Sequence, residues 1–118
     1  MVPKRRQFLA AAVAVGAAVA GGTLAAAEPR VIKVHTHRWA FDPNMIELKK
    51  GEPVVFELTA DDIFMGFNIP DFKVRSDVVP GKTMRLALTP DRAGTFTFLC
   101  DVFCGDGHES MSGTLVVT

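Results

Sequence analysis

Cys100-Asp101-Val102-Phe103-Cys104-Gly105-Asp106-Gly107-His108-Glu109-Ser110-Met111 is the stretch on which the reading of this chain turns. Four soft or borderline metal ligands fall within it, spaced Cys-x3-Cys-x3-His-x2-Met. Thiolate, imidazole and thioether in one loop select copper over hard cations. An alternating stretch, Gly94-Thr-Phe-Thr-Phe-Leu99, leads in, and a second, Gly113-Thr-Leu-Val-Val117, leads away. Alternation of this kind predicts strands. A ligand loop held between two paired strands has its geometry fixed before the metal arrives.

The spacing also bears on how many ions the loop holds. A mononuclear blue-copper site takes one Cys, two His and a weak axial Met. This loop supplies two Cys, and across one looped segment both can face a single centre. Cys100 and Cys104 can then bridge two copper ions, with His108 terminal on one and Met111 weakly bound to the other. A mononuclear site stays open. So does a Cys100–Cys104 disulfide, because an export compartment is oxidising, and so does zinc, which Cys and His also suit. A fourth reading makes His108 a surface residue and Met111 a core residue. The thioether argues for copper over zinc, and a disulfide needs neither His108 nor Met111 at this spacing.

Cys100, Cys104, His108 and Met111 resemble the CuA motif of cytochrome c oxidase subunit II and nitrous oxide reductase, within the cupredoxin superfamily. The likeness runs from about Val31 to Val117. It implies a CuA-like, dinuclear copper centre, single-electron transfer, and the backbone carbonyl of Val102 as one more ligand. It also implies a further His from an earlier segment of the form Asp-x-x-His-Gly-Phe. Here that segment reads Asp62-Ile-Phe-Met65-Gly66-Phe67-Asn-Ile-Pro70, with Met65 where the family has His. Met65 either packs only, or its thioether is a terminal ligand, which favours Cu(I) over Cu(II).

Upstream, residues 1–27 read as an export signal. Lys4-Arg5-Arg6 gives a basic start, Phe8 to Ala20 an apolar run, and Ala25-Ala26-Ala27 a small-residue cleavage site. Arg5-Arg6-Gln7-Phe8-Leu9 looks like a twin-arginine signal, which points to the periplasm. An uncleaved anchor is the other reading, although so Ala-rich and Gly-rich a run is weakly hydrophobic for a permanent span. Cleavage leaves residues 28–118 as one domain, with 10 Lys and Arg against 13 Asp and Glu, a net charge near −3. No basic patch suggests a nucleic acid partner.

The remainder alternates short strand patterns with turn residues. Val31–Thr36 sends Ile32 and Val34 to one face and Lys33 and His35 to the other. Met45–Leu48, Val54–Thr59 and Met84–Leu88 follow, separated by Asp42-Pro43-Asn44, by Lys49 to Pro53 and by Pro80-Gly81. The pattern predicts an all-β Greek-key β-sandwich, cupredoxin-like, of about seven strands. His35 and His37 share a strand face; a His-x-His pair can bind metal, but here the two are expected to decorate the solvent side. His37, Trp39 and Phe41 conflict in parity with Ile32 and Val34, so a kink or bulge is expected near Thr36–Arg38. Trp39 is then a core residue, and the resemblance places an electron-receiving aromatic in this region.

The function expected is a periplasmic copper protein passing single electrons to or from a c-type cytochrome, a terminal oxidase or a reductase, with no membrane span once the signal is removed. Cu(I) trafficking or storage is the alternative. Catalysis at an open copper position is a third, but no acid–base pair or substrate pocket is legible, so an enzyme is not expected.

Overall fold

The computed structural model describes residues 28–118, so the export signal expected over residues 1–27 lies outside the described residues. Nine strands form among them: β1 (Arg30–His37), β2 (Ala40–Asp42), β3 (Met45–Leu48), β4 (Val54–Ala60), β5 (Met65–Ile69), β6 (Val74–Val78), β7 (Met84–Leu88), β8 (Gly94–Leu99) and β9 (Ser112–Val117). They make two sheets, ordered β2-β1-β4-β7 and β3-β9-β8-β5-β6. The chain changes sheet after β2, β3, β4, β6 and β7, and those crossings leave β1 parallel to β4 and β3 parallel to β9. The result is the expected β-sandwich.

The inward residues follow the strand period of two. Val54, Phe56 and Leu58 of β4 face Phe67 and Ile69 of β5 and Phe98 of β8 across the interior, all buried. Phe67 is the hub: its ring centroid lies 5.1 Å from Phe98, 5.3 Å from Phe56 and 5.7 Å from Phe41. Offset and edge contacts at this range add to the area that the rings bury. Pro80-Gly81 forms the expected turn, with Gly81 at φ +85° and the Lys82 amide donating to the Val79 carbonyl.

Three strands exceed the expected pattern. β2 is only three residues, and it pairs back on β1 through the two-residue turn Arg38–Trp39. That reversal, not a bulge in a continuing strand, resolves the parity conflict. Phe41 turns inward because the chain has changed direction, and Trp39 sits at the turn, 39% exposed, instead of in the core. β5 is buried at every position but Asn68, so it shows no alternation. β6 carries Arg75, Ser76 and Asp77 at the edge of its sheet, where polar side chains reach solvent.

Candidate metal centre

Strand alternation delivers the ligands. Phe96, Phe98 and then Cys100 occupy successive inward positions at the end of β8, and Met111, Leu115 and Val117 share the inward face at the start and along β9. The β8–β9 register pairs Leu99 with Ser112, and the ladder continues one step, with the Cys100 amide donating to the Met111 carbonyl at 3.2 Å. Cys100 and Met111 are therefore cross-strand neighbours, 3% and 1% exposed, and the loop between them closes over the end of the sandwich.

Within that loop, Cys100 Sγ and Cys104 Sγ lie 3.6 Å apart as free thiols. His108 presents Nδ1 to Cys104 Sγ at 3.5 Å, and Met111 Sδ is 3.8 Å from the same sulfur. The Cys100 thiol donates to the Val102 carbonyl at 3.1 Å. Cys100, Cys104 and His108 hold their ligand atoms within 4.8 Å of one another. Two sulfurs bound at about 2.3 Å to one tetrahedral ion stand about 3.8 Å apart, so the 3.6 Å spacing already accommodates a shared ion. Thiol, imidazole and thioether converging on one point form a donor set that suits copper. Burial pushes the Cys104 thiol up to about 11, with the hydrogen-bonded Cys100 thiol adding to it. Metal arriving there displaces a proton, so binding strengthens as pH rises.

Met65 opens β5 with no solvent exposure. β5 runs antiparallel to β8 with Asn68 opposite Leu99, which carries Met65 to the level of Val102 if the register is extended. It packs in the same core cluster as Cys100, Cys104 and Met111. Met65 is thus buried at the end of the sandwich that carries the cysteine loop.

Two supports of the loop were not legible beforehand. Asp101, between Cys100 and Val102, accepts from Asn68 Nδ2 at 3.0 Å and from Arg75 Nη2 at 3.0 Å. The Arg75 guanidinium holds the Asp101 carboxyl below the usual carboxylate range, against the opposing effect of burial. Gly66 makes room for this: a β-carbon there would sit 1.9 Å from Asp101 Oδ1. The second support is Trp39, whose Nε1–H donates to the Cys104 carbonyl at 3.0 Å. Asp101 lies inside the motif and signals a polar anchor, but its partners come from strands that only the fold brings near. On the outer side, Phe103 is 77% exposed and its ring centroid is 5.5 Å from that of half-buried His108. His35 and His37 lie outside this cluster, on the solvent side of β1 as expected.

Similarity to known proteins agrees with the geometry. A family model described as a cupredoxin-like domain matches residues 8–117. Cytochrome c oxidase subunit 2 of Thermus thermophilus is 34% identical over 79 residues, covering 67% of this chain and 58% of that protein. The chain spans about half the length of the curated relatives it matches. Among solved structures, the periplasmic domain of subunit II of cytochrome oxidase of Bradyrhizobium japonicum superposes with a TM-score of 0.71 at 18% identity, over 79% of this chain and 86% of that one. A copper binding protein solved in its apo form gives 0.63 at 24% identity, over 80% and 93%. The Cys100, Cys104 and His108 cluster fits a CuA-type site.

Proposed function

This chain belongs to the cupredoxin-like domain family, and from that premise we propose that it is a periplasmic copper protein that passes single electrons through a CuA-like centre in the Cys100–Met111 loop. The observation that carries the reading is the pair of buried thiols 3.6 Å apart with the His108 imidazole against one of them. Cys100 and Cys104 would bridge, His108 and Met111 would be terminal, and the Val102 carbonyl, already turned into the cluster, would complete the loop's contribution. Copper bound there supplies a one-electron couple between Cu(II) and Cu(I). The protein's part is to keep the donors still between the two oxidation states. Strand pairing at Cys100 and Met111, the Asp101 anchor and the Trp39 hydrogen bond all serve that end.

Half-exposed His108, under exposed Phe103, is the edge through which an electron leaves or arrives. A c-type cytochrome, terminal oxidase or reductase would dock there. Export is supported by the twin-arginine pattern at Arg5-Arg6 and by the relative solved as a periplasmic domain. Among the described residues, no helix is long and apolar enough to cross a membrane.

A second reading, Cu(I) trafficking or storage, is favoured by one observation. Met65 is fully buried at the position that matches the resembled family's His, and with its thioether as a ligand the site would offer two thiols and two thioethers with a single imidazole. Soft donors of this kind hold Cu(I).

Absorption, electron paramagnetic resonance and voltammetry on copper-loaded protein test the proposal. Cys100→Ser and Cys104→Ser should each abolish the intense thiolate-to-copper absorption and lower the copper content. Retention of spectrum and stoichiometry in Cys104→Ser alone would make the site mononuclear. A copper-loaded protein with no reversible one-electron wave would leave the storage reading standing.

A further inference from the structure

We propose that Asp62 is a positioning residue for the copper centre: it fixes the turn that puts Trp39 on the Cys104 carbonyl, and it holds a negative charge within electrostatic reach of Cys104. The proposal rests on the copper reading of the Cys100–Met111 loop. Asp62 opens the segment Asp62-Ile-Phe-Met65-Gly66-Phe67, on the connection between β4 and β5. β4 runs parallel to β1 as far as Ala60 opposite Thr36, where the ladder ends. Past that point the Asp61 amide donates to the Thr36 carbonyl at 2.9 Å, and the Asp62 side chain meets the chain leaving β1. The Arg38 amide donates to Asp62 Oδ2 at 3.3 Å, and the Ile63 amide donates to Oδ1 at 2.8 Å. Each oxygen of one carboxylate thus takes a backbone N–H, and hydrogen bonds to an ionised acceptor are the stronger kind. The Arg38 carbonyl is held as well, accepting from His37 Nδ1 at 3.2 Å. Arg38 is therefore fixed at both of its backbone polar groups, and Trp39 follows it directly. The indole then donates to the Cys104 carbonyl at 3.0 Å. A carboxylate on one loop sets where an aromatic ring on a second meets a ligand residue on the third.

The same carboxylate acts on Cys104 through space. Burial is the main cause of the raised Cys104 thiol, the Cys100 thiol comes next, and the Asp62 charge adds to both. The Asp62 side chain is 33% exposed, so solvent screens its charge only in part. The cation paired with it, Arg38, stands with Nε 4.0 Å away on a side chain 49% exposed. Negative charge at this place favours the more positive, oxidised form of a metal centre, by Coulomb's law. Asp62 therefore lowers the reduction potential. It opposes the pull that thioether donors exert towards Cu(I).

Two substitutions separate the two effects. Asp62→Asn keeps an oxygen for the Arg38 amide and removes the charge, whereas Asp62→Ala removes both. Trp39 is the only tryptophan of the chain, so its indole N–H gives one resonance that reports the clasp in metal-free protein. Hydrogen exchange at that N–H should quicken by about tenfold in Asp62→Ala and stay near the wild-type rate in Asp62→Asn. In copper-loaded protein, voltammetry should show a higher potential for Asp62→Asn than for the wild type, with copper content and the thiolate-to-copper band retained. Unchanged indole exchange in Asp62→Ala, or an unchanged or lower potential in Asp62→Asn, would overturn the proposal. Wild-type protein that takes up no copper would sink the copper reading of the loop, and indole exchange in the metal-free protein would still decide whether Asp62 positions Trp39.

Discussion

Trp39 reaches across 65 residues of sequence to donate its indole N–H to the Cys104 carbonyl, and the same ring packs against Gly107. A β-carbon at Gly107 would sit 2.4 Å from the indole Cγ, so the loop passes this close only because residue 107 has no side chain. Gly107→Ala should therefore displace either the indole or the loop. Copper affinity and melting temperature should both fall. Trp39→Phe keeps an aromatic ring but removes the donor, and should lower stability by about 1 kcal/mol. Thermal unfolding and a copper competition titration measure both effects. An alanine variant indistinguishable from the wild type would show that the indole does not brace the loop.

Arg75 bridges two carboxylates of unequal burial, and that inequality orders the next prediction. Asp101 has a side chain 18% exposed and anchors the metal loop, whereas Asp77 is 46% exposed. Arg75→Met leaves Asp101 with Asn68 alone among the side-chain partners described. The cost of stranding a largely buried acceptor is about 1–3 kcal/mol. Asp77→Asn breaks only a surface pair, worth about 0–1 kcal/mol. Urea unfolding of the two variants should rank them in that order. Equal losses would mean that the Asp101 anchor contributes no more than an exposed ion pair.

Export is testable without the fold. Replacing Arg5 and Arg6 by Lys should strand the protein in the cytoplasm if the twin-arginine route carries it. Undiminished periplasmic protein on fractionation of that variant would reject the route.

The strands that alternate were legible from the chain itself. Val54 to Leu58, Met84 to Leu88 and Phe96 to Phe98 turn every second residue inward, buried or partly buried, and a period of two needs no partner to be seen. β5 and β6 were not, for opposite reasons. Met65–Ile69 is buried on both faces around Phe67, and Val74–Val78 is a polar edge strand, so neither shows a period. Trp39 was misplaced because parity counts only along an unbroken strand, and the turn at Arg38–Trp39 ends one. The four-residue motif Cys100, Cys104, His108 and Met111 was readable because its members are close in sequence. Asn68 and Arg75 were not readable, since what makes them matter is the Asp101 carboxylate that folding brings to them.

Met65 separates an electron carrier from a copper holder. It is fully buried at the end of β5 nearer the cysteine loop, at the position that matches the His of the resembled Asp-x-x-His-Gly-Phe segment. As a ligand, its thioether would favour Cu(I), and Met65→His would put a harder donor in its place and favour Cu(II). The reduction potential should then drop and the spectrum move towards that of a CuA centre with two histidines. Met65→Leu keeps volume and apolarity and removes only the sulfur. A volume-conserving core change of this kind costs less than about 1.5 kcal/mol, so the Leu variant should fold normally yet bind Cu(I) more weakly. Voltammetry and a Cu(I) competition titration on the wild type and both variants decide the matter. Identical potential and affinity in the wild type and the Leu variant would confine Met65 to packing. The centre would then hold its copper with the loop's donors alone.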